Sequence, residues 1–139
     1  MHARDIMTAH PRCCGADDTL EHAARLMAEE DVGEIPVIDA AHHVVGVITD
    51  RDIVLRCVAQ GESATLGPVG KYMTAPALCL GEDASLEDVA HLMASQRIRR
   101  VPITDGEQLL CGIVALADLE KTDARSLKMK VAERVSAPH

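Results

Sequence analysis

Apolar residues fall at helical spacing at Leu20, Ala23, Ala24, Met27 and Ala28, a stripe one face of a helix wide. Thr19 stands just before the stripe as an N-cap, and Glu21 supplies an acidic group in the first turn. The same pattern returns later in the chain. Ser85 with Asp88 opens a second helix, and Leu86, Val89, Ala90 and Met93 form its stripe. After each helix the period changes to that of strands. Ile35–Ile38 predicts a strand whose Pro36 confines it to a first position or an edge, because proline cannot donate to a ladder. Asp39–His42 predicts a turn, Val44–Ile48 an apolar strand and Asp50–Ala59 a helix. Their twins are strands at Val101–Thr104 and Leu109–Val114 and a helix starting near Leu116. A brief extended piece at Arg12–Gly15 precedes the first helix. Each half of the chain therefore predicts strand, helix, strand, strand, helix.

The two halves are copies. Residues 7–53 align without a gap on residues 73–119 at a constant offset of 66, and 16 of the 47 positions are identical. Met7-Thr8-Ala9 matches Met73-Thr74-Ala75, and Pro36, Gly46 and Asp52 match Pro102, Gly112 and Asp118. Two copies of one such unit usually stack, since neither buries its apolar face alone. Gln60–Gly70, with three glycines and one proline, predicts a linking loop. The expected organisation is a first repeat over residues 1–60, a linker over 61–70 and a second repeat over 71–122. A C-terminal amphipathic helix over 123–139 is expected from Leu127, Val131 and Val135 set among Lys128, Lys130 and Arg134.

Composition narrows the function. The 139 residues include no Trp or Phe and one Tyr, so the core must be aliphatic and Met. With a net charge of −8 and no rings on which bases could stack, a nucleic-acid partner is not expected. The charge is uneven: residues 1–69 carry 5 basic and 12 acidic side chains, residues 70–139 carry 9 and 10. An anionic ligand should favour the second half, where Arg97, Arg99 and Arg100 cluster. No apolar run is long enough to span a bilayer and no basic, apolar leader is present, so the chain reads as cytoplasmic, without a membrane partner. Five cysteines without Cys-x-x-Cys spacing argue against a secreted disulfide framework. Cys57, Cys79 and Cys111 sit in apolar runs, while the adjacent Cys13-Cys14 is the pair to watch for redox or metal chemistry.

The strongest local constellation is Gly46-Val-Ile-Thr49-Asp-Arg-Asp52, where a strand ends and a helix begins. Two readings fit it. Thr49 and Asp52 have the spacing of a capping box, each satisfying free N–H groups of the helix start. The same geometry suits a ligand: free N–H groups favour phosphate, and a carboxylate one turn in can accept both hydroxyls of a ribose. The second copy, Gly112-Ile-Val-Ala115-Leu-Ala-Asp118, keeps the Gly and the Asp but loses the hydroxyl, which makes a reciprocal box impossible.

The run of Met-Thr, Leu-Met helix, Arg-Arg-Val-Pro-Ile and Gly-Val-Ile-Thr-Asp-Arg-Asp-Ile resembles a tandem cystathionine-β-synthase (CBS) domain pair, or Bateman module, over residues 5–121. Short bacterial stand-alone CBS-pair proteins, including the mycobacterial hypoxic-response kind, are the most similar type. The resemblance implies an α+β fold of two β-α-β-β-α units packed pseudo-symmetrically through their sheets, and a homodimer of two such modules. It implies an adenine nucleotide (AMP, ADP or ATP) or an S-adenosylmethionine-type ligand in the inter-repeat cleft, and no resident cofactor or metal. Thr49 would bond a phosphate, and Asp52 and Asp118 would each hold a ribose. Arg100, with Arg99 beside it, would meet phosphate, and Ile35, Pro36, Val101 and Pro102 would line the ligand. The twin of Arg100 is Glu34, which repels phosphate, so the two sites are expected to be unequal. No nucleophile–base pair, phosphate loop or metal cluster is present to suggest an enzyme. The expected function is a non-enzymatic sensor signalling to a protein partner in trans; the alternative is a ligand-free dimeric interaction module.

Overall fold

The computed structural model describes residues 1–122, so the expected C-terminal helix over 123–139 lies outside the described residues. The chain forms two compact units that do not follow the sequence copies. One is Arg12–Leu78; the other joins Met1–Pro11 to the described residues that follow Leu78.

In the unit Arg12–Leu78, β2 (Cys14–Gly15), β3 (Glu34–Ile38) and β4 (Val44–Thr49) form a sheet in the order β2-β3-β4. Helix α2 (Leu20–Glu30) packs its stripe into the core. Leu20, Ala23, Leu26, Met27, Ile35, Val37, Ile48, Cys57, Val69 and Tyr72 are buried there. Thr19 caps α2 as its spacing requires: its hydroxyl accepts from the His22 N–H at 3.1 Å. The helix ends at Asp31 in the left-handed region, φ 55°. Pro36 lies within the middle strand rather than at its start. It is tolerated because β3 pairs antiparallel with β4 along its length, whereas β2 reaches only Val37 and Ile38. On its second side Pro36 is at an edge. The expected α-helix over 50–59 is instead a composite: α3 (Asp50–Asp52), a π-helical turn (Ile53–Cys57) and a 3₁₀ turn (Val58–Gln60). The expected linker ends in a one-turn helix, α4 (Val69–Tyr72).

The second unit repeats the plan. Its sheet has the order β1-β7-β6-β5, with β1 (Thr8–Ala9), β5 (Leu80–Gly81), β6 (Arg100–Thr104) and β7 (Leu110–Ala115). Helix α5 (Leu86–Gln96) is capped by Ser85, whose hydroxyl accepts from the Asp88 N–H at 3.1 Å. The unit closes with α6 (Leu116–Leu119) and borrows α1 (Ala3–Ile6) from the start of the chain. Ala3, Leu86, Val89, Met93, Val101, Ile103, Val114 and Leu119 are in its core.

The two units thus exchange their leading segments. The Ala3 N–H donates to Ala84 O at 2.8 Å, and the Val69 N–H to Asp18 O at 2.7 Å. Thr8 pairs with Ile113, and Thr74 with Val47. Under the 66-residue offset these are the same contacts with the copies swapped. The exchange explains an identity that the sequence left unexplained. A Cβ on Gly46 would stand 2.8 Å from Thr74 O, and one on Gly112 would stand 2.8 Å from Met7 Cγ. Only glycine lets the Met-Thr segment cross the strand so closely.

Candidate functional site

In each unit a strand ends and turns into a short helix, and the carboxylate falls three residues past the turn. In the first copy the capping box is complete. The Thr49 hydroxyl accepts from the Asp52 N–H at 3.0 Å, and Asp52 Oδ2 accepts from the Thr49 N–H at 3.1 Å. A further partner comes from the exchanged segment. The Thr74 hydroxyl bridges both oxygens of Asp52, at 3.1 Å and 3.2 Å. Arg56, placed by the π-helical turn, sets Nε 3.6 Å from Asp52 Oδ1. Its Nη1 donates to the carbonyls of Tyr72 at 3.3 Å and Met73 at 3.1 Å. Asp52 is left 7% exposed, the one charged side chain buried among the described residues.

The second copy is sparser. Asp118 Oδ2 accepts from the Ala115 N–H at 2.7 Å, which is half of a box because Ala115 has no acceptor to return. Asp118 is half-buried, and its Oδ1 has no donor among the described residues. Among the described residues Thr8, the twin of Thr74, makes no bond to Asp118. The twin of Arg56 is Thr122, so the cation is missing as well.

Strand register decides which copy holds the basic side chain. Arg100 lies opposite Ala115 on the β6–β7 ladder, and Glu34 lies opposite Thr49 on the β3–β4 ladder. The base therefore sits with the incomplete box and the acid with the complete one. Arg100 Nε is buried with no hydrogen-bond partner among the described residues. The three arginines differ in setting. Arg97 ends α5 in the left-handed region at φ 56°, and Arg99 is exposed, with its carbonyl accepting from the Leu116 N–H at 2.7 Å. Ile35 and Val101 are fully buried in the cores of their units. Pro36 and Pro102 are buried on the alternate positions of the same strands. Sequence reasoning brought Thr49 to Asp52 and Asp118 to its turn, but missed Thr74 and Arg56. The signal for Thr74 was its identity with Thr8; nothing in the spacing pointed it at Asp52.

The cysteine pair is placed apart from these turns. Cys13 and Cys14 line an open groove of about 680 Å³ together with Asp17, Asp18, Asp39 and His42. Burial, with Asp18 and Cys13 close by, pushes the Cys14 thiol up to about 12, so it holds almost no nucleophilic thiolate at neutral pH. Among the described residues no three His, Cys, Asp or Glu side chains are gathered as metal ligands would be. No described helix is long and apolar enough to cross a membrane.

The model of the CBS domain matches residues 3–58 and 69–124, most of the chain. The chain belongs to the CBS-domain family. It is a CBS pair, and its second match begins at Val69, at the start of the exchanged α4. YlbB of Bacillus subtilis is 40% identical over 127 residues, covering 88% of this chain and 84% of that one. Hypoxic response protein 1 of Mycobacterium tuberculosis is 34% identical, covering 86% and 82%. A crystal structure of Hypoxic Response Protein I with two coordinated zinc ions matches with a TM-score of 0.81, covering 87% of this chain and 98% of that one. The CBS pair of MJ0100 in complex with 5′-methylthioadenosine and S-adenosyl-L-methionine is 25% identical, with a TM-score of 0.77 over 87% of this chain and 98% of that one. CBSX2 in complex with AMP is 26% identical, with a TM-score of 0.75 over 93% and 98%. The fold is the α+β fold of these pairs.

Proposed function

We propose that this CBS pair is a non-enzymatic regulatory module that binds an adenine nucleotide or a related adenosyl ligand and passes its occupancy to a protein partner in trans. The observation that carries the reading is the second copy's turn. Asp118 survives there without a cap hydroxyl to reciprocate it, its Oδ1 is free of donors among the described residues, and a base stands on the adjoining strand. A carboxylate oxygen that the fold does not use is suited to a ribose hydroxyl, and a guanidinium with an unused N–H is suited to phosphate. MJ0100 and CBSX2 bind ligands of this chemistry. In this reading Asp118 takes the ribose, Arg100 with Arg99 the phosphate, and the backbone at Val101 and Pro102 frames the base. Thr49, Asp52, Ile35 and Pro36 stand at the matching positions of the first copy, where the capping box is already complete. A cytoplasmic location for this module fits described cysteines that form no disulfide.

Titration calorimetry with AMP, ATP, adenosine and S-adenosylmethionine tests the reading. Asp118→Ala should weaken AMP by about ten- to a hundredfold, the worth of one hydrogen bond to a charged group. Arg100→Glu should weaken ATP more than adenosine, since only ATP presents the charge. Flat titrations with every ligand would overturn the reading in favour of a ligand-free interaction module. One observation favours a homodimer in either case: Val54, Leu55 and Val58 are 54%, 45% and 60% exposed, side by side along one helical segment.

A further inference from the structure

Asp52 and Asp118 are twins in sequence, but the structure gives them different work. Asp52 has at most four lone-pair directions on its two oxygens. The Thr49 N–H and the Thr74 hydroxyl occupy Oδ2, and the same hydroxyl and the Arg56 guanidinium face Oδ1. A ribose diol would need both oxygens, and each already faces a donor belonging to the chain. The donors are also interdependent. Thr74 lies on the exchanged segment, which is bonded to β4 through Val47 in both directions, at 3.0 Å and 2.8 Å. Arg56 holds the two carbonyls just before it. Asp52 is thus the knot that ties α3, the π-helical turn and the exchanged segment together. Glu34, opposite Thr49, adds negative charge beside that turn. Among the described residues the Asp118 side chain has one bond, from its own turn, and it stands in the copy that carries Arg100.

We infer that Asp52 is a structural brace, locked by Thr74 and Arg56, and that the second copy alone receives the ribose, so that one adenosyl ligand binds per chain at Asp118. This rests on the adenosyl reading above for its ligand, but the brace itself does not. Thr74 and Arg56 are then positioning residues, since they hold both oxygens of Asp52 within the fold. Position 122, the twin of Arg56, carries no cation.

The test combines calorimetry with AMP and thermal unfolding on the full chain and its Asp52→Asn, Thr74→Val, Asp118→Asn and Asp52→Asn/Thr74→Val variants. Asp52→Asn and Thr74→Val are nearly isosteric, so each removes the charge or the hydroxyl while keeping the shape. The expected result is a stoichiometry of one AMP per chain. Asp118→Asn should lose at least tenfold in affinity with its unfolding midpoint nearly unchanged. Asp52→Asn and Thr74→Val should each lower the midpoint by several degrees, the pair together by less than their sum, with affinity held within about threefold. A tenfold loss of affinity in Asp52→Asn at an unchanged midpoint, or two equivalent AMP sites per chain, would overturn the inference. Should Asp52→Asn not fold, as a brace allows, Thr74→Val decides: loss of AMP binding by it overturns the inference. If the unaltered chain binds neither AMP nor S-adenosylmethionine, the adenosyl reading falls. The brace then stands or falls on the midpoints alone, additive or absent shifts being the failing result.

Discussion

Gly46 carries no chemistry, yet few positions in the chain tolerate less. A methyl group there meets the Thr74 carbonyl at 2.8 Å, and a backbone carbonyl bonded on the same ladder cannot swing away as a side-chain end could. Gly46→Ala should therefore destabilise by about 1–3 kcal/mol, the usual cost of overpacking. Gly106→Ala, where an added Cβ meets nothing within 4 Å, should stay within about 0.5 kcal/mol of the parent. Urea denaturation of the two variants checks the contrast. At this scale the sequence was partly legible. The Thr49–Asp52 and Ser85–Asp88 pairs announce themselves because a cap and its acceptor are three residues apart, and local hydrogen bonds obey local spacing. Thr74 is 22 residues from Asp52, and no spacing rule reaches that far. The lost hydroxyl at Ala115 was plain from the alignment; that Arg100 stands opposite it required the register.

Among the elements, the two long helices were visible because eleven residues give a stripe and a cap to read. Helices α1 and α4, each four residues, were not. A single turn has no period, and what stabilises these is the burial of Ala3 and Val69 in cores built from residues far along the chain. The helix over 50–59 was legible as helical, but its π turn was not. That turn matters for the surface: Ile53 is drawn against the core while Val54, Leu55 and Val58 face outward. A twofold dimer would cover this patch with its own copy. Sedimentation of the parent protein at micromolar concentration should give a dimer, and Val54→Asp/Val58→Asp should give a monomer near 15 kDa. A parent that sediments as a monomer removes the patch from consideration as a self-association surface.

At the scale of the molecule, the 66-residue repeat made the pair of CBS units legible, but the repeat and the folded unit are different objects. A fragment cut as a repeat, residues 1–66, would lack Val69, Tyr72 and Thr74, and with them two buried core residues and the partner of Asp52. A fragment cut as a unit, residues 12–78, keeps all of them. The second should melt cooperatively in a circular-dichroism scan and the first should not. The same exchange bears on the order in which the ribosome delivers the parts. The segment that carries Thr8 emerges well before it can be seated, since Thr8 must wait for Ile113, 105 residues behind it. At a synthesis rate of about 5–20 residues per second, that is a wait of roughly 5–20 s. The unit Arg12–Leu78 can close in the meantime, while the first eleven residues, Ala3 among them, trail outside any core, open to whatever chaperone or protease meets the nascent chain first.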